Sequence, residues 1–209
     1  MRLRFALFGM CLLLAACGSA PAIPAPQHSS AGSKAPEVVK QNTWIAPLDH
    51  ANERVTKKPF GIFITPQNSP VQPEKFTGYH TGTDFELLPG ETEHDVIVRA
   101  ACAGAVIFKN QVSGYGGVVV QHCTVNDQPV TALYGHLSLS SVAAGIKQLQ
   151  TGDRIGVLGT GFSDETDNER AHLHFAIHRG AAVELKGYVQ TKEELDGWVD
   201  AGTVLGLPL

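Results

Sequence analysis

The chain has 209 residues, 43% of them hydrophobic and 17% charged, with 16 basic residues against 20 acidic ones. That composition can fill a core and excludes a chain disordered throughout. The acidic balance, with no basic stripe, excludes nucleic acid as an expected partner.

Arg2 and Arg4 precede an apolar run from Phe5 to Ala16. The run falls short of the ~20 residues a bilayer span needs, so residues 1–16 read as an export signal. It ends in Leu14-Ala15-Ala16-Cys17, followed by Gly18 and Ser19. This stretch resembles a bacterial lipoprotein lipobox, which implies cleavage before Cys17 and a lipid on its thiol. Gly18, where an Asp would stand otherwise, implies sorting to the outer membrane, with the protein facing the periplasm. Residues 17–43 then form a lipidated tether, rich in Pro, Ala, Ser and Gly and too poor in large apolar side chains to fold. From Trp44 to Leu209 about 165 residues remain, enough for one domain with its own core.

Within that domain short apolar runs alternate with glycine-rich turns. Phe60 to Ile64 is β-like; Gly78 to Leu87 is broken by glycines in its first half and alternates in its second. Asp95–Ala101 and Gly104–Lys109 read as two strands joined by a tight turn. Val118–His122, Val130–Leu137, Arg154–Leu158 and His172–His178 read as further strands. Only Lys192 to Val199 has a clear helical signature, with Thr191 as N-cap and Glu193 and Glu194 in the first turn. The expected fold is mainly β: a single antiparallel β-sheet or β-sandwich-like domain with few short helices. Apart from Cys17, the mature cysteines are Cys102 and Cys123, both in apolar, strand-like runs. In an oxidising compartment they are expected to form a disulfide worth about 3 kcal/mol, the alternative being two buried thiols.

The chemistry gathers in three places. In a strand, His172 and His174 project from the same face, while Leu173 points the other way with Phe175 and Ile177 flanking. His80 and Asp84 are ~13 Å apart on a straight strand, too far to share a metal. The backbone between them must bend, and Gly82 is the residue that permits it. His136 stands alone on a third strand. His178 shares the face of His174 but lies ~13 Å farther along, so it stays outside the cluster. His122 reads as a strand-end histidine, and Glu91, Glu93 and His94 as a solvated loop.

Taken together, Gly78-Tyr79-His80-Thr81-Gly82-Thr83-Asp84, Tyr134-Gly135-His136-Leu137-Ser138 and His172-Leu173-His174-Phe175 resemble the LytM/lysostaphin-like zinc endopeptidases in order and spacing. Gly114-Tyr115-Gly116, Gly152-Asp153-Arg154-Ile155-Gly156 and Gly159-Thr160-Gly161 add supporting matches, and the likeness covers roughly residues 60–190. The resemblance implies one Zn²⁺ held by His80, Asp84 and His174, with His136 and His172 as catalytic residues beside it. It further implies hydrolysis of peptide cross-links in bacterial peptidoglycan, with its stem peptides as substrate and the lipid at Cys17 as membrane anchor. Members of this family that have lost catalysis bind the wall or activate a cell-wall amidase. That reading stands as the alternative, with a regulatory cell-wall protein as partner. One departure is the stretch Phe162 to Arg170, which is more acidic than the Gly/Pro-type approach expected before His-x-His.

Overall fold

The computed structural model describes residues 43–208. The export signal, Cys17 and nearly all of the tether lie outside the described residues. The strands are β1 (Phe63–Ile64), β2 (Gly78–His80), β3 (Gly82–Glu86), β4 (Ile97–Arg99), β5 (Gly104–Val112), β6 (Gly116–Val125), β7 (Gln128–Leu137), β8 (Gln148–Leu149), β9 (Arg154–Val157), β10 (His172–Arg179), β11 (Tyr188–Val189) and β12 (Trp198–Val199). Three short helices accompany them: α1 (Ala51–Arg54), α2 (Lys192–Leu195) and α3 (Ala201–Leu205).

The fold is mainly β and every strand pairing is antiparallel. A seven-stranded sheet runs β12-β10-β7-β6-β5-β8, with β3 also paired to β10. Two small sheets, β1-β2-β11 and β4-β9, stand beside it. The expected hairpin between β4 and β5 does not form, because β4 pairs with β9 and β5 with β6 and β8. The long apolar runs of β6 and β7 follow from burial on both faces. Val119, Tyr134 and Phe175 enter one core cluster with Phe85, Leu173 and Ile177. Val118, Val120 and Leu133 enter a second with Tyr115 and Trp198. A strand covered on both sides needs no polar alternation, which is why Val118-Val119-Val120 reads as a continuous apolar run.

Cys102 and Cys123 are joined in a disulfide with their Cα atoms 6.0 Å apart, tying the entry of β5 to β6 across 21 residues. By loop-closure entropy a link of that span contributes about 3 kcal/mol. Thr191 caps α2 as its sequence suggests: its hydroxyl accepts from Glu194 N, and the Glu194 carboxylate returns to the Thr191 amide. The helix ends at Leu195, and Trp198 and Val199, expected as its last turn, instead pair with β10. Glu91, expected in a solvated loop, grips the buried guanidinium of Arg54 with both oxygens at 2.6 and 2.7 Å. Among the described residues no helix is long and apolar enough to cross a membrane.

Candidate metal centre and active site

The register of β3 against β10 builds the site. His174 pairs with Asp84 and His172 with Glu86, while Phe85 pairs with Leu173 between them. The two-residue period of both strands therefore puts Asp84, Glu86, His172 and His174 on one face, and sends Phe85 and Leu173 into the core on the other. His80 arrives from a different sheet. The chain leaves β2 at His80 and enters β3 at Gly82, and Thr81 between them is fixed to the neighbouring segment by its amide on Gly187 O and its hydroxyl on Lys186 O. That break provides the bend the sequence demanded.

Gly82 serves a different purpose from the one expected of it. A Cβ there would lie 2.7 Å from two atoms of the His174 ring and 2.8 Å from Phe175 O. The missing side chain makes room for the imidazole rather than for an unusual backbone. Gly82→Ala should therefore displace His174, weaken metal binding at least tenfold and cost ~1–3 kcal/mol of stability through overpacking. Bound zinc per chain and the urea midpoint check this, and wild-type values for both would contradict it.

His136 is placed by a bulge. Between β6 and β7 the register steps from Gly117–Leu137 to Val118–Gly135, so His136 is the extra residue on β7. It adopts φ +63°, a left-handed conformation uncommon for a residue with a side chain. Regular alternation from Gly135, which pairs with His174, would point His136 into the core with Leu173. The bulge turns it to the opposite side, where its ring lies 4.2 Å from that of His172 and 5.7 Å from that of Tyr115.

Three donor atoms converge on one point. His80 Nε2 lies 3.0 Å from His174 Nδ1, His174 Nδ1 lies 3.2 Å from Asp84 Oδ1, and His80 Nε2 lies 3.3 Å from Asp84 Oδ1. Zinc bonds of ~2.0–2.2 Å in tetrahedral geometry set neighbouring donors ~3.3–3.5 Å apart, close to this triangle. The outer nitrogens agree with such a role. His80 Nδ1 lies 3.2 Å from Pro59 O, which can only accept, so the proton belongs on Nδ1 and the Nε2 lone pair faces inward. His174 Nε2 lies 3.3 Å from the Tyr115 hydroxyl, where it can donate and leave Nδ1 bare. Two nitrogen lone pairs and a carboxylate oxygen then face each other with no hydrogen between them, an arrangement that a cation relieves. Among the described residues this is the one group of metal-ligating type brought together in this way.

All five histidine and aspartate side chains of the sequence reading thus meet in one place. His172 lies 3.2 Å from Asp84 Oδ2 through Nε2 and donates Nδ1–H to Arg170 O at 2.9 Å. Burial would raise the Asp84 carboxyl, but the nearby His172 and His80 rings hold it well below the usual range. Burial, with the neighbouring His172 and His174 rings, pushes His136 well down, and burial first of all takes His174 to about 4. Both are neutral at physiological pH. The Tyr115 hydroxyl is pushed up by burial and by Asp84, so it keeps its proton.

The cluster opens into a cleft of ≈290 Å³ whose walls include Lys58, Phe76, Tyr115, Arg170, Leu185 and Tyr188. Tyr115, Tyr188 and Arg170 had no assigned role in the sequence. Tyr115 fits against the site because Gly135 and Gly187 carry no Cβ; one at either would fall within 2.7 Å of its ring or hydroxyl. The acidic stretch before His172 forms part of the wall, and its carboxylates act as clamps. Glu165 accepts from the Ser138 hydroxyl and from Thr160 N, Asp167 from Gly114 N at 2.8 Å, and Glu169 pairs with Lys75 at 3.2 Å. Of the histidines set aside, His178 packs on Trp198 at 4.7 Å and His122 Nε2 donates to Ala181 O at 2.9 Å, both away from the cluster.

The model of peptidase family M23 matches residues 78–185. Among solved structures, CbpA from L. salivarius REN is 22% identical with a TM-score of 0.51, covering 79% of this chain and 96% of that one. Lysostaphin from Staphylococcus simulans, an antimicrobial peptidase, is 21% identical with a TM-score of 0.48, covering 79% of this chain and 54% of that one. An M23-type protein from Pseudomonas aeruginosa is 18% identical with a TM-score of 0.47, covering 81% and 53%. The chain thus spans about half the length of the latter two proteins. No curated protein matches. At these identities the likeness to solved structures establishes the fold alone.

Proposed function

The chain belongs to peptidase family M23, and from that premise we propose that it is a zinc-dependent endopeptidase that hydrolyses peptide cross-links of bacterial peptidoglycan. His80, Asp84 and His174 are the proposed ligands, with His136 and His172 as the catalytic residues. The observation that carries this is the triangle of His80 Nε2, Asp84 Oδ1 and His174 Nδ1, with edges of 3.0 to 3.3 Å and no proton to share among them.

Zinc bound there supplies a Lewis acid for the scissile carbonyl and lowers the pKa of a water to ~7. The chain's own groups do the rest. His80, Asp84 and His174 would hold the metal as three protein ligands, the number a catalytic rather than a structural zinc takes, and Asp84 and His174 line the cleft. His172, with its Nδ1–H committed to Arg170 O, offers Nε2 as the nitrogen that exchanges a proton. Neutral His136, with its ring 4.2 Å away, can accept a proton or donate one N–H to the developing oxyanion. Tyr115, protonated and in contact with His174, places a further hydroxyl on the cleft. No glutamate of the His-Glu-x-x-His type is present, so the two histidines take over its work. The lipid at Cys17 and the tether belong to the same reading: they hold the peptidase on the outer membrane, facing the periplasm and within reach of the wall.

The test is digestion of purified peptidoglycan, read as muropeptides by chromatography and mass spectrometry. Cross-linked dimers should decline, stop declining in chelator and resume with added zinc. A folded, zinc-loaded protein that leaves the dimers intact would refute the endopeptidase and favour a wall-binding or amidase-activating role.

A further inference from the structure

We propose that Arg170 is a positioning residue for the metal centre: anchored by Glu86, it holds Asp84 through Oδ2 so that Oδ1 alone is presented to the two histidine nitrogens. This rests on the zinc reading above.

A metal-bound carboxylate can coordinate through one oxygen or through both, and the groups around it decide which. Here the two oxygens of Asp84 have different company. Oδ1 faces His80 Nε2 at 3.3 Å and His174 Nδ1 at 3.2 Å. Oδ2 accepts from Arg170 Nη2 at 2.9 Å and faces His172 Nε2 at 3.2 Å. With Oδ2 engaged, rotation of the carboxylate toward a two-oxygen grip would break the Arg170 bond inside a buried site.

Glu86 makes this arrangement tolerable. Its carboxylate takes Arg170 Nε at 2.9 and 3.1 Å and also pairs with Nη2 of the same group. One guanidinium therefore bridges two carboxylates that stand two residues apart on the site face of β3. Lys57, at 3.4 Å from Glu86, is half exposed, so solvent screens its charge. An uncompensated cation this close to the ligands would oppose a divalent metal. Glu86 cancels that charge, so Arg170 fixes an orientation without adding net charge to the site. Lysine could not substitute, since a single ammonium has no planar fork to span both acids.

The experiment is zinc affinity by competition with a chromogenic chelator, on the full chain and on Arg170→Ala, Arg170→Lys and Glu86→Gln, with the melting temperature of each chelated protein alongside. Loss of an outer partner of this kind typically weakens metal binding about 10–100-fold. Arg170→Ala should lie near the top of that range, with Arg170→Lys and Glu86→Gln near the bottom. Adding Glu86→Gln to Arg170→Ala should weaken binding no further, because Glu86 acts through Arg170. Unchanged affinity in Arg170→Lys, or a lower melting temperature with unchanged affinity in any of the variants, would overturn the proposal. Arg170→Lys decides alone if Arg170→Ala does not fold. A wild-type chain that binds no zinc would instead refute the metal reading itself.

Discussion

Asp84→Asn should remove zinc and peptidase activity together while the domain stays folded. Asp84 supplies the one anionic donor of the triangle, and its side chain is nearly inaccessible. Asparagine keeps its shape but has one acceptor and one donor end. Arg170 offers an N–H to Oδ2, so the amide oxygen turns that way. The amide NH₂ then faces His80 Nε2 and His174 Nδ1, filling with hydrogens the space where a cation would sit. Zinc affinity should fall by more than the ~100-fold that an outer partner costs, and cross-link hydrolysis should fall to background. Asp84→Ala should lose both as well and should also be less stable. It removes a partner from Arg170, whose side chain is mostly covered, a type of loss that costs ~3–5 kcal/mol for a fully buried charge when nothing else compensates and less here because Glu86 remains. Zinc per chain, circular dichroism and dimer digestion on the two variants check this. Wild-type zinc content in Asp84→Asn would refute the ligand assignment.

What could be read in the sequence depended on how local the cause was. His172 and His174 share a face because strands alternate, and two residues suffice to see it. The cap on α2 needs only Thr191 and Glu194. The meeting of His80 with Asp84 could be inferred as a bend, but its cause could not. The break comes from Thr81 tied to Lys186 and Gly187, more than a hundred residues away. Gly82 looked like a hinge and proved to be clearance for the His174 ring. Pairing partners were equally hidden. β4 sits next to β5 in sequence, yet its hydrogen bonds go to β9, and Trp198 and Val199 leave a helical pattern to extend the edge beside β10. Arg170 and Glu86 were out of reach for the same reason: their contact exists only because the β3–β10 register places Glu86 opposite His172. The acidic approach to His172 looked like an anomaly of composition and is a set of clamps onto Ser138, Thr160, Gly114 and Lys75.

The His136 bulge is the feature that sequence could least foretell, and it yields the second large effect. His136→Gly should lower turnover ~10²–10⁴-fold, the usual contribution of a positioned acid or base, while zinc affinity stays within a few-fold of wild type. Glycine is the right probe because of the backbone. At φ +63° a residue with a Cβ is strained by about 1–2 kcal/mol, a strain glycine does not feel. His136→Ala keeps the strain and loses the ring contacts with His172 and Tyr115, so it should be less stable than His136→Gly by about 1 kcal/mol. The stability order of the two variants reports the backbone, and their common loss of turnover reports the imidazole. The chain retains a strained, buried histidine with Nδ1 lacking a partner, where glycine would fit the backbone better. A purely structural His136 would make the glycine variant no less active. Near-normal turnover in His136→Gly would therefore remove it from the mechanism and leave His172 as the only histidine beside the metal to move the proton.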